Sequence, residues 1–123
     1  MEISGIVKKN LGRGKKLGYP TANIDIDSSV PDGLFLGITK VEGKEYPSII
    51  FIGAAQTFGE QDRKAEAYLL NFSGNLYEKM ISIRTIKKLR NNLKFETQEA
   101  LVKQMRQDEQ VAREFFRSYN TSN

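Results

Sequence analysis

The sequence contains no cysteine, histidine or tryptophan, and it has only three prolines in 123 residues. Without cysteine and histidine the chain cannot form disulfides, thiolate or imidazole nucleophile pairs, or a zinc site with nitrogen and sulfur ligands. Any metal that it binds must therefore be a hard cation held by oxygen atoms.

Long apolar runs are also absent. No stretch approaches the ~20 residues of a membrane-spanning helix, and residues 1–5 lack the basic and then apolar pattern of a secretory signal. We therefore expect a cytoplasmic protein that does not associate with membranes. A chain of this length predicts one domain, residues 1–123, that buries about two-thirds of its unfolded surface.

The net charge of +4 is unevenly distributed along the chain. Residues 1–20 carry +4, residues 21–78 carry −5, and residues 79–95 hold six basic side chains and no acidic one. Two basic segments around an acidic one favour a small polyanionic ligand if the fold brings the basic segments together. A solvated surface explains the same charges, so charge alone leaves both interpretations open.

Short stretches rich in β-forming residues recur between turn signals and predict strands. The predicted strands cover residues 3–7, 34–41, 46–52, 65–72 and 80–86, with a sixth strand possible. Five or six strands at short spacing, with no helix between them, predict a mainly β fold. We expect an antiparallel barrel over about residues 1–95.

After residue 95 the apolar period becomes helical. Thr97 can cap a helix, and Glu99 lies in its first turn. Asp108 interrupts the apolar stripe, which predicts one helix or two short helices over about residues 97–118. The stripe consists of Leu101, Met105, Ala112, Phe115 and Phe116.

The most unusual segment is glycine-rich and basic. Closely spaced glycines let backbone N–H groups approach a ligand, and the basic side chains between them supply positive charge, as a phosphate-binding loop requires. It is not a Walker loop, because it lacks the Gly-Lys-Ser/Thr ending. A glycine-rich hairpin without a ligand is the competing explanation. The segment comprises Gly12, Arg13, Gly14, Lys15, Lys16 and Gly18.

Thr21 and Asn23 follow the glycine-rich segment in a Pro-Thr-Ala-Asn sequence. In an extended chain their side chains share a face, so a hydroxyl and an amide oxygen lie together and suit a Mg²⁺ ion that bridges phosphates. A local turn stabilised by these side chains explains the same residues.

Glu66 begins an apolar row in the predicted strand 65–72, in which Tyr68, Leu70 and Phe72 follow on the same face. At a barrel mouth such a carboxylate is partly desolvated and can act as a general base. The alternative is a frayed strand end with Glu66 in water.

Taken together, these blocks closely resemble the riboflavin kinase (flavokinase) family. The resemblance rests on Gly-Arg-Gly-Lys-Lys-Leu-Gly-Tyr-Pro-Thr-Ala-Asn, Pro-Asp-Gly-Leu-Phe and Glu-Ala-Tyr-Leu-Leu-Asn-Phe-Ser-Gly-Asn-Leu-Tyr, which occur in family order. It covers residues 5 to about 112. It implies a six-stranded Greek-key barrel with C-terminal helices, and ATP-dependent phosphorylation of the riboflavin 5′-hydroxyl to give FMN and ADP.

The resemblance also implies roles for individual residues. Residues 12–18 and Thr21 would bind the ATP phosphates, and Thr21 and Asn23 would hold Mg²⁺, the expected cofactor. Glu66 would take the proton of the ribityl hydroxyl.

Flavin binding is implied for the segment that contains Arg90. Arg90 and Phe95 together can hold an aromatic ligand or cover the core, and for Phe95 the residues favour the core. The expected partners are the small molecules ATP and riboflavin, with no nucleic acid and a monomeric chain.

Three positions depart from the family pattern. Gln56 replaces a usual proline, Tyr68 stands where a histidine is frequent, and Glu78 stands where a glycine is common. The family's bacterial relatives usually add a nucleotidyltransferase domain, so we expect either a stand-alone kinase or an excised module. Two other classes of protein stay open: a non-catalytic module that binds flavin or nucleotide, and a small basic barrel that binds single-stranded nucleic acid.

Overall fold

The computed structural model describes residues 1–8, 21–54 and 63–121. Gln56 and the glycine-rich residues Gly12, Arg13, Gly14, Lys15, Lys16 and Gly18 lie outside these ranges, so their predicted roles remain predictions. The described residues form six strands and one helix. These are β1 (Glu2–Ile6), β2 (Thr21–Asp25), β3 (Gly33–Val41), β4 (Lys44–Ala54), β5 (Arg63–Leu69), β6 (Met80–Arg90) and α1 (Gln98–Thr121).

The six strands form one antiparallel sheet in the order β1-β6-β3-β4-β5-β2. Strands β3, β4 and β5 are consecutive neighbours and β6 returns beside β3, which is a Greek key. Beyond the end of β1, the backbone N–H of Lys8 donates to the carbonyl oxygen of Asn23 in β2 over 2.8 Å. This bridge brings the two outer strands together, so the predicted six-stranded barrel is confirmed in a nearly closed form.

Alternate residues of the strands fill the barrel. β-branched and small side chains pack there because successive residues of a strand point to opposite faces. The cluster on β2, β4 and β5 comprises Ala22, Ile24, Ile50, Ile52, Ala65 and Ala67, with Ile81 and Ile83 from β6. We call this side of the sheet the core face.

Gly37 lies where the pairing of β3 with β6 shifts register. A Cβ atom at this position would lie 2.3 Å from the carbonyl oxygen of Arg84 and 2.6 Å from the Cδ1 atom of Ile50. Only glycine fits there, and its close backbone contact lets β3 bend around the barrel.

Two turns hold a glutamate at positive φ. Glu42 and Gly43 have φ angles of 50° and 81° and form the two-residue hairpin turn between β3 and β4. Glu78 has φ 67°, and its N–H donates to the carbonyl oxygen of Val7 over 2.9 Å. The left-handed backbone at Glu78 explains why the family that the sequence resembles commonly has glycine at this position.

The chain divides into two compact units, residues 1–92 and 93–123. The second unit contains α1, whose start is capped as predicted: the N–H of Ala100 donates to Oγ1 of Thr97 over 3.1 Å. The alternative of two short helices is wrong. Asp108 stays within one continuous helix, where Gln104 donates a hydrogen bond to its Oδ1 atom over 3.1 Å. Whether both units form one domain remains a prediction.

Among the described residues, no helix is both long and apolar enough to cross a membrane.

Candidate active site

The register of β2 and β5 brings the predicted metal and base residues together. Asn23 lies directly opposite Glu66, and Thr21 lies opposite Tyr68. Directly opposed residues of an antiparallel pair project to the same side, with their Cβ atoms about 4.5–5.5 Å apart. The predicted ligand Asn23 and the predicted base Glu66 are therefore immediate neighbours on two adjacent strands.

The alternation of side chains explains which side they occupy. Ala22 and Ile24 of β2, and Ala65 and Ala67 of β5, belong to the core face. The residues between them must therefore lie on the opposite side. We call this side the site face, and it carries Thr21, Asn23, Asp25, Lys64, Glu66 and Tyr68.

The opposed pair is buried although both side chains are polar. Asn23 is 4% exposed and Glu66 is 8% exposed. The alternative of a frayed strand end in water is wrong, and so is the position at the head of a strand, because Glu66 is the central residue of β5. Glu66 is therefore buried at the centre of strand β5 and not at its end.

The predicted row beyond Tyr68 is also wrong. β5 ends at Leu69, so Leu70 and Phe72 lie outside the strand. Phe72 packs against the core cluster, and its ring meets that of Tyr46 edge to face with centroids 5.1 Å apart. Phe72 therefore packs in the core and not on the site face.

The amide nitrogen of Asn23 is a buried hydrogen-bond donor. Its Nδ2 atom is buried and has no hydrogen-bond partner among the described residues. Buried polar atoms are rarely left in this state unless a ligand or water completes them. An amide can donate to a phosphate oxygen through its nitrogen and coordinate a hard cation through its oxygen.

A cross-strand row extends from this pair around the sheet. The register pairs Glu66 with Phe51, Phe51 with Leu34, and Leu34 with Arg90. Arg90, Glu66 and Asn23 therefore lie on one row. Arg90 ends β6, and its Nη1 atom donates to the carbonyl oxygen of Asn91 over 3.2 Å. Phe95 belongs to the second unit, and flavin binding by Arg90 and Phe95 remains a prediction.

Three charged residues continue the site face next to Asn23 and Glu66. Asp25 lies opposite Lys64 and receives a hydrogen bond of 2.9 Å from its Nζ atom, while Lys8 forms an ion pair with the other carboxylate oxygen. The hydrogen bonds from Lys8 and Lys64 lower the pKa of Asp25 to about 2. We call these residues the lysine–aspartate cluster.

Sequence reasoning missed this cluster and Phe51. Asp25 follows Asn23 by two residues, and Lys64 precedes Glu66 by two residues, so the strand period places both on the site face. Phe51 carries no comparable local signal, because only the pairing of β4 with β5 brings it opposite Glu66.

The described ranges contain no group of three or more histidine, cysteine, aspartate or glutamate residues that could hold a metal ion. Among the predicted ligands, the oxygens of Thr21 and Asn23 lie on one face of β2, as the sequence predicts. These are hard donors of the kind that Mg²⁺ prefers.

The fold and the site define a small Greek-key barrel with a buried carboxylate and amide pair on its site face. Comparison with known proteins then gives the family: residues 1–116 match Flavokinase, the riboflavin kinase family. The chain belongs to this family.

Individual relatives agree with the family match. The bifunctional riboflavin kinase/FMN adenylyltransferase of Buchnera aphidicola is 34% identical over 119 residues, which are 93% of this chain and 38% of that protein. The crystal structure of riboflavin kinase from Trypanosoma brucei has a TM-score of 0.64 and 25% identity, and the match covers 94% of this chain and 79% of that one.

A Streptococcus pneumoniae crystal structure described as a macrolide-efflux protein has a TM-score of 0.76 and 25% identity, with 91% of this chain and 38% of that chain covered. The chain spans between 18% and 47% of the length of several bacterial relatives.

Proposed function

We propose that this protein transfers the γ-phosphoryl group of ATP to the 5′-hydroxyl of riboflavin, giving FMN and ADP. The observation that carries the proposal is the opposition of Asn23 and Glu66 on adjacent strands, both buried, in a chain of the riboflavin kinase family. Phosphoryl transfer needs positioning and charge neutralisation more than covalent catalysis, so these residue types suffice for the reaction.

Glu66 acts on the acceptor alcohol. Its carboxylate accepts the proton of the ribityl 5′-hydroxyl as the oxygen attacks the γ-phosphorus. A new bond forms between that oxygen and phosphorus, the bond between phosphorus and the bridging oxygen breaks, and ADP leaves. The proton then passes from Glu66 to solvent. Burial keeps competing water away from the carboxylate.

Asn23 and Thr21 act on the phosphate side. Their oxygens would hold Mg²⁺, which when bound neutralises charge on the phosphates. The unpartnered Nδ2 atom of Asn23 supports a ligand at this position, because it is a buried donor that a phosphate oxygen can satisfy. Two side chains on β2 thus face the phosphates, while Glu66 on β5 faces the alcohol.

Formation of FMN tests the proposal directly. The protein is incubated with riboflavin, ATP and Mg²⁺, and FMN is detected by mass spectrometry. We expect FMN only when the nucleotide and the divalent cation are both present. Turnover that persists in excess EDTA would refute the metal assignment of Thr21 and Asn23.

The same samples separate the other classes of protein. Riboflavin that binds, as measured by quenching of its fluorescence, without FMN formation would identify a non-catalytic binding module. Salt-dependent binding of an oligonucleotide would identify a nucleic-acid-binding barrel. Our proposal includes a monomeric, cytoplasmic protein with ATP and riboflavin as its partners, and the family match favours neither alternative class.

A further inference from the structure

The lysine–aspartate cluster, Lys8, Asp25 and Lys64, lies beside the proposed catalytic pair. Lys8 is the bridge partner of Asn23, and Glu66 is the partner of Asn23 on its other side. Asp25 and Lys64 form the next cross-strand pair on the same face, two residues along each strand. Lys8 therefore lies on the row of Asn23 and Glu66, and Asp25 and Lys64 lie on the next row.

The charge of the cluster suits an anion. Two ammonium groups share one carboxylate, so the cluster carries one net positive charge at neutral pH. Each ammonium group has three donors, and its contact with Asp25 leaves capacity to donate to another acceptor. The Lys8 side chain is 58% exposed and the Lys64 side chain 22% exposed, so a ligand on the site face can reach both.

We propose that Lys8 and Lys64 form a phosphate-binding pair for the polyphosphate chain of the nucleotide, arranged on the carboxylate of Asp25. This inference rests on the proposed function, which places a nucleoside triphosphate beside Asn23. The polyphosphate chain is the anionic part of that substrate, and the cluster supplies cationic side chains near Asn23, Lys64 from β5 and Lys8 from just beyond β1.

A surface ion pair without function is the competing explanation, since exposed pairs contribute little to stability. The two explanations differ in their consequence for charge. Removing Asp25 breaks both ion pairs and removing either lysine breaks one of them, but loss of a lysine lowers the local positive charge whereas loss of Asp25 raises it. A matched set of variants therefore separates a binding role from a structural one.

The experiment measures MgADP and riboflavin binding by isothermal titration calorimetry, together with thermal midpoints. We expect Lys8→Gln and Lys64→Gln each to weaken MgADP binding about tenfold, with riboflavin binding unchanged. Asp25→Asn should bind MgADP at least as tightly as the wild type. Lys8→Arg and Lys64→Arg should retain binding because they keep the charge.

Lys79→Gln is the matched control, because Lys79 pairs with Glu42 at the hairpin and not on the site face. It should bind both ligands as the wild type does. Unchanged MgADP binding in the lysine variants, or equal weakening in Asp25→Asn, would overturn the phosphate-binding pair. Wild-type protein that binds MgADP and yet forms no FMN would instead overturn the proposed function, so the two failures are distinguishable.

Discussion

The two faces of strands β2 and β5 both contain buried side chains, but the faces differ chemically. The core face presents Ala22, Ile24, Ala65 and Ala67, while the site face places Asn23 opposite Glu66. Apolar burial stabilises the fold, whereas burial of polar groups costs free energy unless partners compensate it. Alternate residues of the same strands therefore stabilise the fold and form the proposed site. A substitution on the core face should lower stability without changing the chemistry, and a substitution on the site face should do the reverse.

Glu66→Gln should have the largest effect on the site face. The change keeps the size and polarity of the side chain but removes the proton acceptor, so we expect kcat to fall roughly 10²–10⁴-fold. Riboflavin affinity and the thermal midpoint should change little. Glu42→Gln, which removes an exposed hairpin carboxylate, serves as the control and should keep its kcat.

Two results would contradict this assignment of Glu66. Turnover near the wild-type value would exclude it as the base. A collapsed thermal midpoint would make it a structural carboxylate.

Ile50→Ala should break the core face instead. Ile50 is fully buried opposite Ala67, and truncation of such a side chain costs about 2–5 kcal/mol through lost burial and a cavity. Urea denaturation measures the loss, and kcat per folded molecule at low temperature should be retained. Lost turnover with unchanged stability would show that the two faces are not separable.

Asn23→Ala should impair the use of MgATP without lowering stability, which is the reverse of the result expected for Ile50→Ala. The KM for MgATP should rise about 10- to 100-fold, because a contact to a charged group is lost. Stability should not fall, since the Nδ2 atom of Asn23 has no partner among the described residues. Thr21→Ala should act in the same direction. Normal ATP and Mg²⁺ dependence in both variants would instead support the alternative that Thr21 and Asn23 only stabilise a local turn.

Thr39→Val tests a buried polar atom that the site does not use. Thr39 is fully buried between Tyr46 and Ile83, and its Oγ1 atom lacks a hydrogen-bond partner within the described ranges. Valine has nearly the same shape, so we expect a gain of about 1 kcal/mol in unfolding free energy and an unchanged kcat. A loss of stability would mean that the hydroxyl has a partner.

Glu78→Gly should have the smallest effect. Glycine adopts the positive φ of this turn without strain, although it also loses more backbone freedom on folding, so a net gain of up to about 1 kcal/mol is expected. Glu45→Gly is the control, because Glu45 lies in the extended strand β4, where glycine should destabilise. Equal effects of the two substitutions on the urea midpoint would refute the explanation that positive φ is why the family commonly has glycine at position 78.

Local chemistry predicted much of this structure. The alternation in the Pro-Thr-Ala-Asn sequence put Thr21 and Asn23 on one face, and the cap at Thr97 marked the start of α1. Such features depend on residues only a few positions apart, so the chain itself contains the information.

The partners of each strand could not be read from local patterns. Glu66 is opposite Asn23 because β2 pairs with β5, and this pairing depends on contacts between distant segments. The end of β5 was missed because Leu70 continues the apolar pattern after the strand leaves the sheet. Asp108 suggested a break because polarity interrupts a stripe, but a hydrogen-bonded polar side chain does not interrupt the backbone of a helix.

The pairing of β1 with β6 has a consequence for how the chain is made. The hydroxyl of Ser82 in β6 donates a hydrogen bond of 3.4 Å to Oε1 of Glu2 in β1, although the two residues are 80 positions apart in the sequence. At about 5–20 residues per second, β1 is synthesised roughly 4–16 s before β6. Until then the β1 edge facing β6 has no strand to pair with, and unpaired edges invite contact with other chains. Barrel formation must therefore wait for translation, and such non-local pairing makes folding slow.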